Sequence, residues 1–161
     1  MVKTQVLSIL SENTSGVLSR VAGLFARRRF NIDSITAGTT SDENYSRITI
    51  VTSGEGLILD QIENQVAKLE DVISVERLYP DDSVARELVL LRVKANDSNR
   101  TAIHSVCDIF RTKVVDITPD SMLIELTGSK RKISAFIELM GGYGIIQMAR
   151  TGVTALARGE M

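Results

Sequence analysis

A chain of 161 residues, 43% of them hydrophobic, can bury the core of one ordinary domain or of two small ones. Its 19 Lys and Arg against 20 Asp and Glu leave a net charge of -1, so no general field draws it to nucleic acid or to an anionic membrane surface. Three Tyr, four Phe and no Trp give few rings for stacking bases or sugars, and the single Cys107 excludes an internal disulfide and agrees with a reducing compartment.

In chain order, 4-TQVLSIL-10 alternates weakly and is rich in branched residues, as a buried strand would be. Its apolar run 6-VLSIL-10 is cut off by Glu12 and Asn13 before it could serve as a secretory signal. A helix is expected next, because Val17, Leu18, Val21, Leu24 and Phe25 recur at helical spacing. Asn13 to Ser15 offer capping oxygens before it, and Arg27, Arg28 and Arg29 suit the negative pole at its end. Strands 31-NIDSITAGT-39 and 46-SRITIVTS-53 flank the polar turn 41-SDEN-44. A second amphipathic helix over 57-LILDQIENQVAKLED-71 and a strand 72-VISVERLY-79 close a first half.

The stretch 80-PDDS-83 has the composition of a surface connection, which divides the chain into domains 1–79 and 84–161. The same order then recurs. Strand 86–95, helix 100–110, strands 112–117 and 121–127 across the turn at Thr118, Pro119 and Asp120, helix 129–140 and strand 145–156 follow one another, with 141-GGYG-144 as a helix stop. The repeat is one of architecture and not of sequence. Two βαββαβ units with right-handed crossovers give an α+β protein of two ferredoxin-like domains, each with both helices on one sheet face. The other face carries Val, Ile and Leu and needs a cover from a second chain, a sheet edge or the second domain. No apolar run approaches the ~20 residues of a membrane helix, 88-LVLL-91 being among the longest, and the cytoplasm is the expected location.

The turn 13-NTSG-16 is the best candidate for chemistry. Between a strand and a helix it would aim unpaired N–H groups and the positive helix pole at one spot, which holds a carboxylate or phosphate well, and Gly16 lets a ligand approach the backbone. The plainer alternative is that Asn13, Thr14 and Ser15 only cap the helix. Asn31 adds a constraint: a helix of roughly 14 residues would keep it about 20 Å from Gly16 within one chain. If both amides serve one small ligand, they come from two subunits, and a symmetric dimer owns two such pockets.

Other residues are less informative. His104 and Cys107 lie three apart on a helix, but Ile103, Val106, Cys107 and Phe110 form one apolar stripe, and no second His or Cys exists to complete a zinc set. The runs 27-RRR-29 and 130-KRK-132 read as solvated helix ends; RNA-recognition modules share this element order, but 46-SRITIVTS-53 has no ring on which a base could stack. A small hydrolase on this fold would need an Arg and an Asn, for which Arg20 and Asn31 are the nearest candidates. A stand-alone amino-acid sensor using the same turn is a further possibility.

The strings 11-SENTSGVLSRVAGLFARRRFNIDSITAG-38, 46-SRITIVTSG-54 and 61-QIENQVAKLEDVISV-75 resemble the ACT domain of the small regulatory subunit of acetohydroxyacid synthase, also called acetolactate synthase. The strings 109-IFRTKVVDITPDSMLIELTG-128, 135-AFIELM-140 and 149-ARTGVTALARG-159 are similar to that subunit's carboxy-terminal domain. The resemblance implies a non-catalytic homodimer in branched-chain amino acid biosynthesis that binds no cofactor itself. Its partner would be the large catalytic subunit, which carries thiamine diphosphate, magnesium and FAD. The small subunit would activate that partner, in part through residues 84–161, and make it sensitive to feedback by valine, leucine or isoleucine. The family's effector site lies across an ACT dimer. By match to its motif, Asn13, Ser15, Gly16 and Asn31 would hold the effector's polar end, and Val17, Leu18 and Ile32 would wall its side chain. One departure is Arg29, where the family commonly has a glycine in the left-handed conformation.

Overall fold

The computed structural model describes residues 1–159, which form two compact units. The first comprises Met1–Ala85 and the described residues from Val153 on; the second is Arg86–Gly152.

In the first unit, β1 (Lys3–Glu12), α1 (Val17–Arg27), β2 (Ser34–Thr39), β3 (Tyr45–Gly54), α2 (Gly56–Ala67) and β4 (Val72–Leu78) follow in order. The strands form an antiparallel sheet in the order β2-β3-β1-β4, the ferredoxin-like arrangement that the element order implies. Alternation along β1 and β3 sends Leu7, Ile9, Ile48 and Ile50 to one face, where they pack with Val21, Leu24 and Phe25 of α1 and Leu59, Ile62 and Val66 of α2. Helix α2 is shorter than its periodicity suggests. It stops at Ala67, and Val72 N–H then donates to Leu69 O as the chain turns into β4.

Helix α1 closes through a left-handed residue, Arg29, at φ 56°. The arginine thus takes the backbone path that a glycine would take more readily. Relief of its steric cost, less the chain entropy that glycine adds to the unfolded state, leaves an expected gain of about 0.5–1 kcal/mol for Arg29→Gly. Urea unfolding should show this as a higher midpoint with an unchanged slope; an equal or lower midpoint would contradict it.

The connection after β4 differs from the expected linker. Pro80–Asp82 make one 3-10 turn, and β5 (Ser83–Lys94) begins at once, so the division between the units falls inside β5, after Ala85. The second unit continues with α3 (Arg100–Phe110), β6 (Lys113–Thr118), β7 (Ser121–Gly128), α4 (Lys130–Gly141) and β8 (Ile145–Arg150). Its strands run in the order β6-β7-β5-β8, and Val89, Leu91, Val93, Met122, Ile124 and Leu126 pack against Ile103, Cys107, Ile133, Phe136 and Met140. Gly144, at φ 101°, turns the chain from α4 into β8, and its carbonyl accepts from Lys94 N–H at 2.8 Å. Glu87, 7% exposed, is held by Arg150 Nε at 3.0 Å.

The last strand is not continuous over 145–156. It breaks after Arg150, and β9 (Thr154–Ala157) pairs with β5, whose first residues belong to the first unit. Val153 and Ala155 pack with Val51 and Leu78, with Val6, Ala85 and Ala157 alongside. Thr36 Oγ1 donates to Val153 O at 2.8 Å, and Val153 N–H donates to Ser34 Oγ at 3.4 Å. The apolar face of the first sheet opposite its helices is therefore partly covered by the chain's own end. The domain drawn as 84–161 loses this segment to the first unit, because exposed Val6, Val51 and Leu78 would cost more than a shortened β8.

Candidate functional site

Helix α1 begins without a side-chain cap. Its N-cap residue is Gly16, at φ 85° and ψ 0°, and none of Asn13, Thr14 or Ser15 bonds the first turn through its side chain. The side chains of Asn13 and Thr14 are used elsewhere. Asn13 Nδ2 donates to Glu43 O at 3.0 Å, and its Oδ1 accepts from Ser46 Oγ at 2.9 Å. Thr14 Oγ1 donates to Asp71 Oδ1 at 3.2 Å, and Arg20 Nε also donates to Asp71. Asn13 N–H donates to Asn44 O at 2.8 Å and Val17 N–H reaches Thr14 O at 3.4 Å, whereas the N–H groups of Ser15, Gly16 and Leu18 find no partner among the described residues. The turn is thus fixed from outside while its own donors stay open.

Gly16 and Leu18 border a concavity of about 310 Å³, which Asn13, Thr14 and Val17 also line. Its opposite wall is Ala37, Gly38 and Thr39 at the end of β2, with Ser46 and Ile48 of β3. The register Ala37 to Ile48 and Thr39 to Ser46 puts these four on the sheet face that α1 covers. One end is polar, with the helix pole and the remaining N–H of the Asn13 amide; the other is apolar, with Val17 8% and Leu18 44% exposed. An amino acid of modest size, carboxylate on the turn and side chain on Val17, Leu18 and Ile48, matches that division.

The structure brings together Asn13, Gly16, Val17 and Leu18 and leaves the other expected residues outside. Ser15 is exposed beside the turn and contributes its carbonyl to Arg20 Nη2 at 3.4 Å. Asn31 lies beyond the far end of α1, its amide bonded to Asp33 and its carbonyl accepting from Thr52 Oγ1. The 11 residues of α1 alone span about 16 Å, so Asn31 does not reach the turn of its own chain. Ile32 packs against the core of the first unit instead of facing the concavity. The Arg20 and Asn31 pair that a hydrolase would need is likewise not assembled, since Arg20 is engaged with Asp71 at the opposite end of the helix. Sequence reasoning missed Ala37, Thr39, Ser46 and Ile48. The alternation of the two strands could have placed them on one face, but nothing local put that face beside Gly16.

Residues 7–74 match the model of the AHAS small subunit-like ACT domain, and residues 86–159 match that of the small subunit of acetolactate synthase. The chain belongs to the acetolactate synthase small-subunit family. It is 44% identical to the acetolactate synthase small subunit of Haemophilus influenzae over 97% of this chain and 96% of that protein. With the Mycolicibacterium smegmatis acetolactate synthase small subunit it shares 43% identity over 97% of this chain and 92% of the other. The crystal structure of the acetolactate synthase small subunit from Thermotoga maritima superposes with a TM-score of 0.91 at 37% identity, covering 99% of each chain. The first unit is an ACT domain, and the two ferredoxin-like units are the family's architecture.

In the second unit, Cys107 is 2% exposed in the core, and burial pushes its thiol above the usual range, which leaves it a poor nucleophile. His104 lies on the exposed flank of α3, 3.7 Å from Asp108. No helix among the described residues is long and apolar enough to cross a membrane.

Proposed function

We propose that this acetolactate synthase small-subunit relative is a non-catalytic regulatory subunit that binds and activates a large catalytic subunit and confers feedback inhibition by a branched-chain amino acid. The reaction in branched-chain amino acid biosynthesis would take place on that partner, with its thiamine diphosphate, magnesium and FAD. The observation that carries the effector site is the uncapped start of α1 facing an amphipathic concavity. A carboxylate there would accept two or three charge-assisted bonds, each contributing about 1.5–3 kcal/mol.

A homodimer completes the pocket. Strand β2 is an edge of its sheet, and Ala37 to Thr39 at its end line the concavity. Antiparallel pairing of two β2 strands about a two-fold axis would lay the start of the partner's strand, which follows Asn31, beside that end. Asn31 and the open turn then meet across the interface, in two equivalent sites. On the second unit, Leu90, Ile117, Ile146 and Met148 are exposed apolar residues suited to contact with the catalytic subunit. Feedback follows if the effector prefers one arrangement of the complex over another by about 1–3 kcal/mol.

Calorimetric titration of the purified chain with valine, leucine and isoleucine tests the site directly. One effector per protomer is expected, with binding lost on dilution to the monomer. Absence of heat with all three, or unchanged affinity in the monomer, would end the proposal.

A further inference from the structure

The opposite face of the first sheet holds a second concavity, of about 230 Å³, walled by Thr36 to Thr39 of β2, Arg47 and Thr49 of β3 and Thr154 of β9. Arg47 and Thr49 alternate with Ile48 and Ile50, so they point away from α1 and α2. Arg47 stands in register with Leu10 on one side and Gly38 on the other, and a Cβ at Gly38 would meet nothing within 4 Å. The glycine leaves room beside the guanidinium.

Arg47 has five N–H donors. One nitrogen, Nη1, donates to Ser8 Oγ at 2.7 Å, and Ser8 is itself 1% exposed and holds the guanidinium in place. Arg47 makes no ion pair among the described residues, and no acidic side chain lines the concavity. Thr49 is 2% exposed, and its hydroxyl has no hydrogen-bond partner among the described residues. A cation without a carboxylate partner and the free hydroxyl of a buried threonine thus share one small cavity.

We propose that this cavity is a binding site for a tetrahedral oxyanion of the phosphate type, held by the Arg47 guanidinium and the Thr49 hydroxyl. Arginine presents a planar fork that pairs with two phosphate oxygens at once, and the threonine hydroxyl serves a third. The cavity has no aromatic wall, so the recognised group is the phosphate itself, free or as the end of a phosphorylated metabolite. Arg47 and Thr49 stand on the other side of the sheet from the effector concavity, and the edge residues Ala37, Gly38 and Thr39 border both.

The test is calorimetry on the full chain in a phosphate-free buffer, titrating inorganic phosphate, then methyl phosphate, against sodium chloride at matched ionic strength. Phosphate is expected to bind one per protomer, with Arg47→Gln weakening it by about tenfold or more and Thr49→Val by a smaller factor. Binding of methyl phosphate as well would point to a phosphorylated metabolite; binding of inorganic phosphate alone would point to the free ion. Arg47→Lys, which keeps the charge and loses the fork, should fall between wild type and Arg47→Gln. Circular dichroism of each variant checks that it is folded, and Thr49→Val, which keeps shape and volume, decides the matter if Arg47→Gln does not fold. Phosphate heats no larger than those of chloride, or phosphate affinity unchanged in a folded Arg47→Gln or Thr49→Val chain, would overturn the proposal.

Discussion

Replacing Asn31 by alanine is expected to raise the effector concentration for half-inhibition of the reconstituted holoenzyme by about ten- to a hundredfold, while activation of the catalytic subunit persists. The magnitude is that of one hydrogen bond to a charged group lost from a site that excludes water. Asn13→Ala should act in the same direction for two reasons. It removes an amide donor from the concavity, and it frees Glu43 O and Ser46 Oγ, which now fix the turn against the start of β3. Its thermal stability should therefore fall slightly, whereas that of Asn31→Ala, whose amide reaches only the exposed Asp33, should not. A mixed dimer with Asn13→Ala in one protomer and Asn31→Ala in the other should keep one intact pocket of two. Retained feedback with lost activation in either variant would refute the arrangement, as would two weakened pockets in the mixed dimer.

The largest loss of stability is expected at Phe25, 1% exposed on the inner side of α1. Its ring meets Phe30 edge-on, with centroids 6.0 Å apart and planes at 84°. Deletion of a fully buried phenylalanine typically costs about 3–5 kcal/mol, because the lost transfer energy is joined by that of an unfilled cavity. Phe25→Ala should lose most of the first unit's margin, since whole domains are stable by only about 5–15 kcal/mol. Phe30→Ala, half-buried at the end of the helix, should cost clearly less. Because Phe25 anchors α1 and Gly16 opens it, Phe25→Ala should also weaken the effector site without touching it. Urea unfolding gives the first quantity; a fall of less than about 1 kcal/mol would show that the core closes over the gap.

Local chemistry made most of the elements legible. The helical spacing from Val17 to Phe25 and the strand alternation of 46–53 each had one reading, and the observed α1 and β3 follow it. The helix stop at 141–144 was equally plain, and Gly144 does take a positive φ. The left-handed residue after α1 could be placed from the resemblance alone, yet only the structure showed that Arg29 accepts that conformation. The capping role offered for Asn13 to Ser15 failed for a physical reason. The side chains of Asn13 and Thr14 had equally good partners far away in the chain, in Glu43, Ser46 and Asp71, and these contacts left the helix start bare.

By itself, then, the amino-acid sequence determined the order of strands and helices, the two-unit plan and the turn at residues 13–16, because hydrophobic period and turn chemistry act over neighbouring residues. Tertiary structure alone decided that Ala37, Thr39, Ser46 and Ile48 face Gly16, that Ile32 goes to the core, and that Val153 and Ala155 pack onto the first unit. Each of these depends on surfaces distant in the chain competing for the same apolar and polar partners, and that competition is settled only once the sheet has formed.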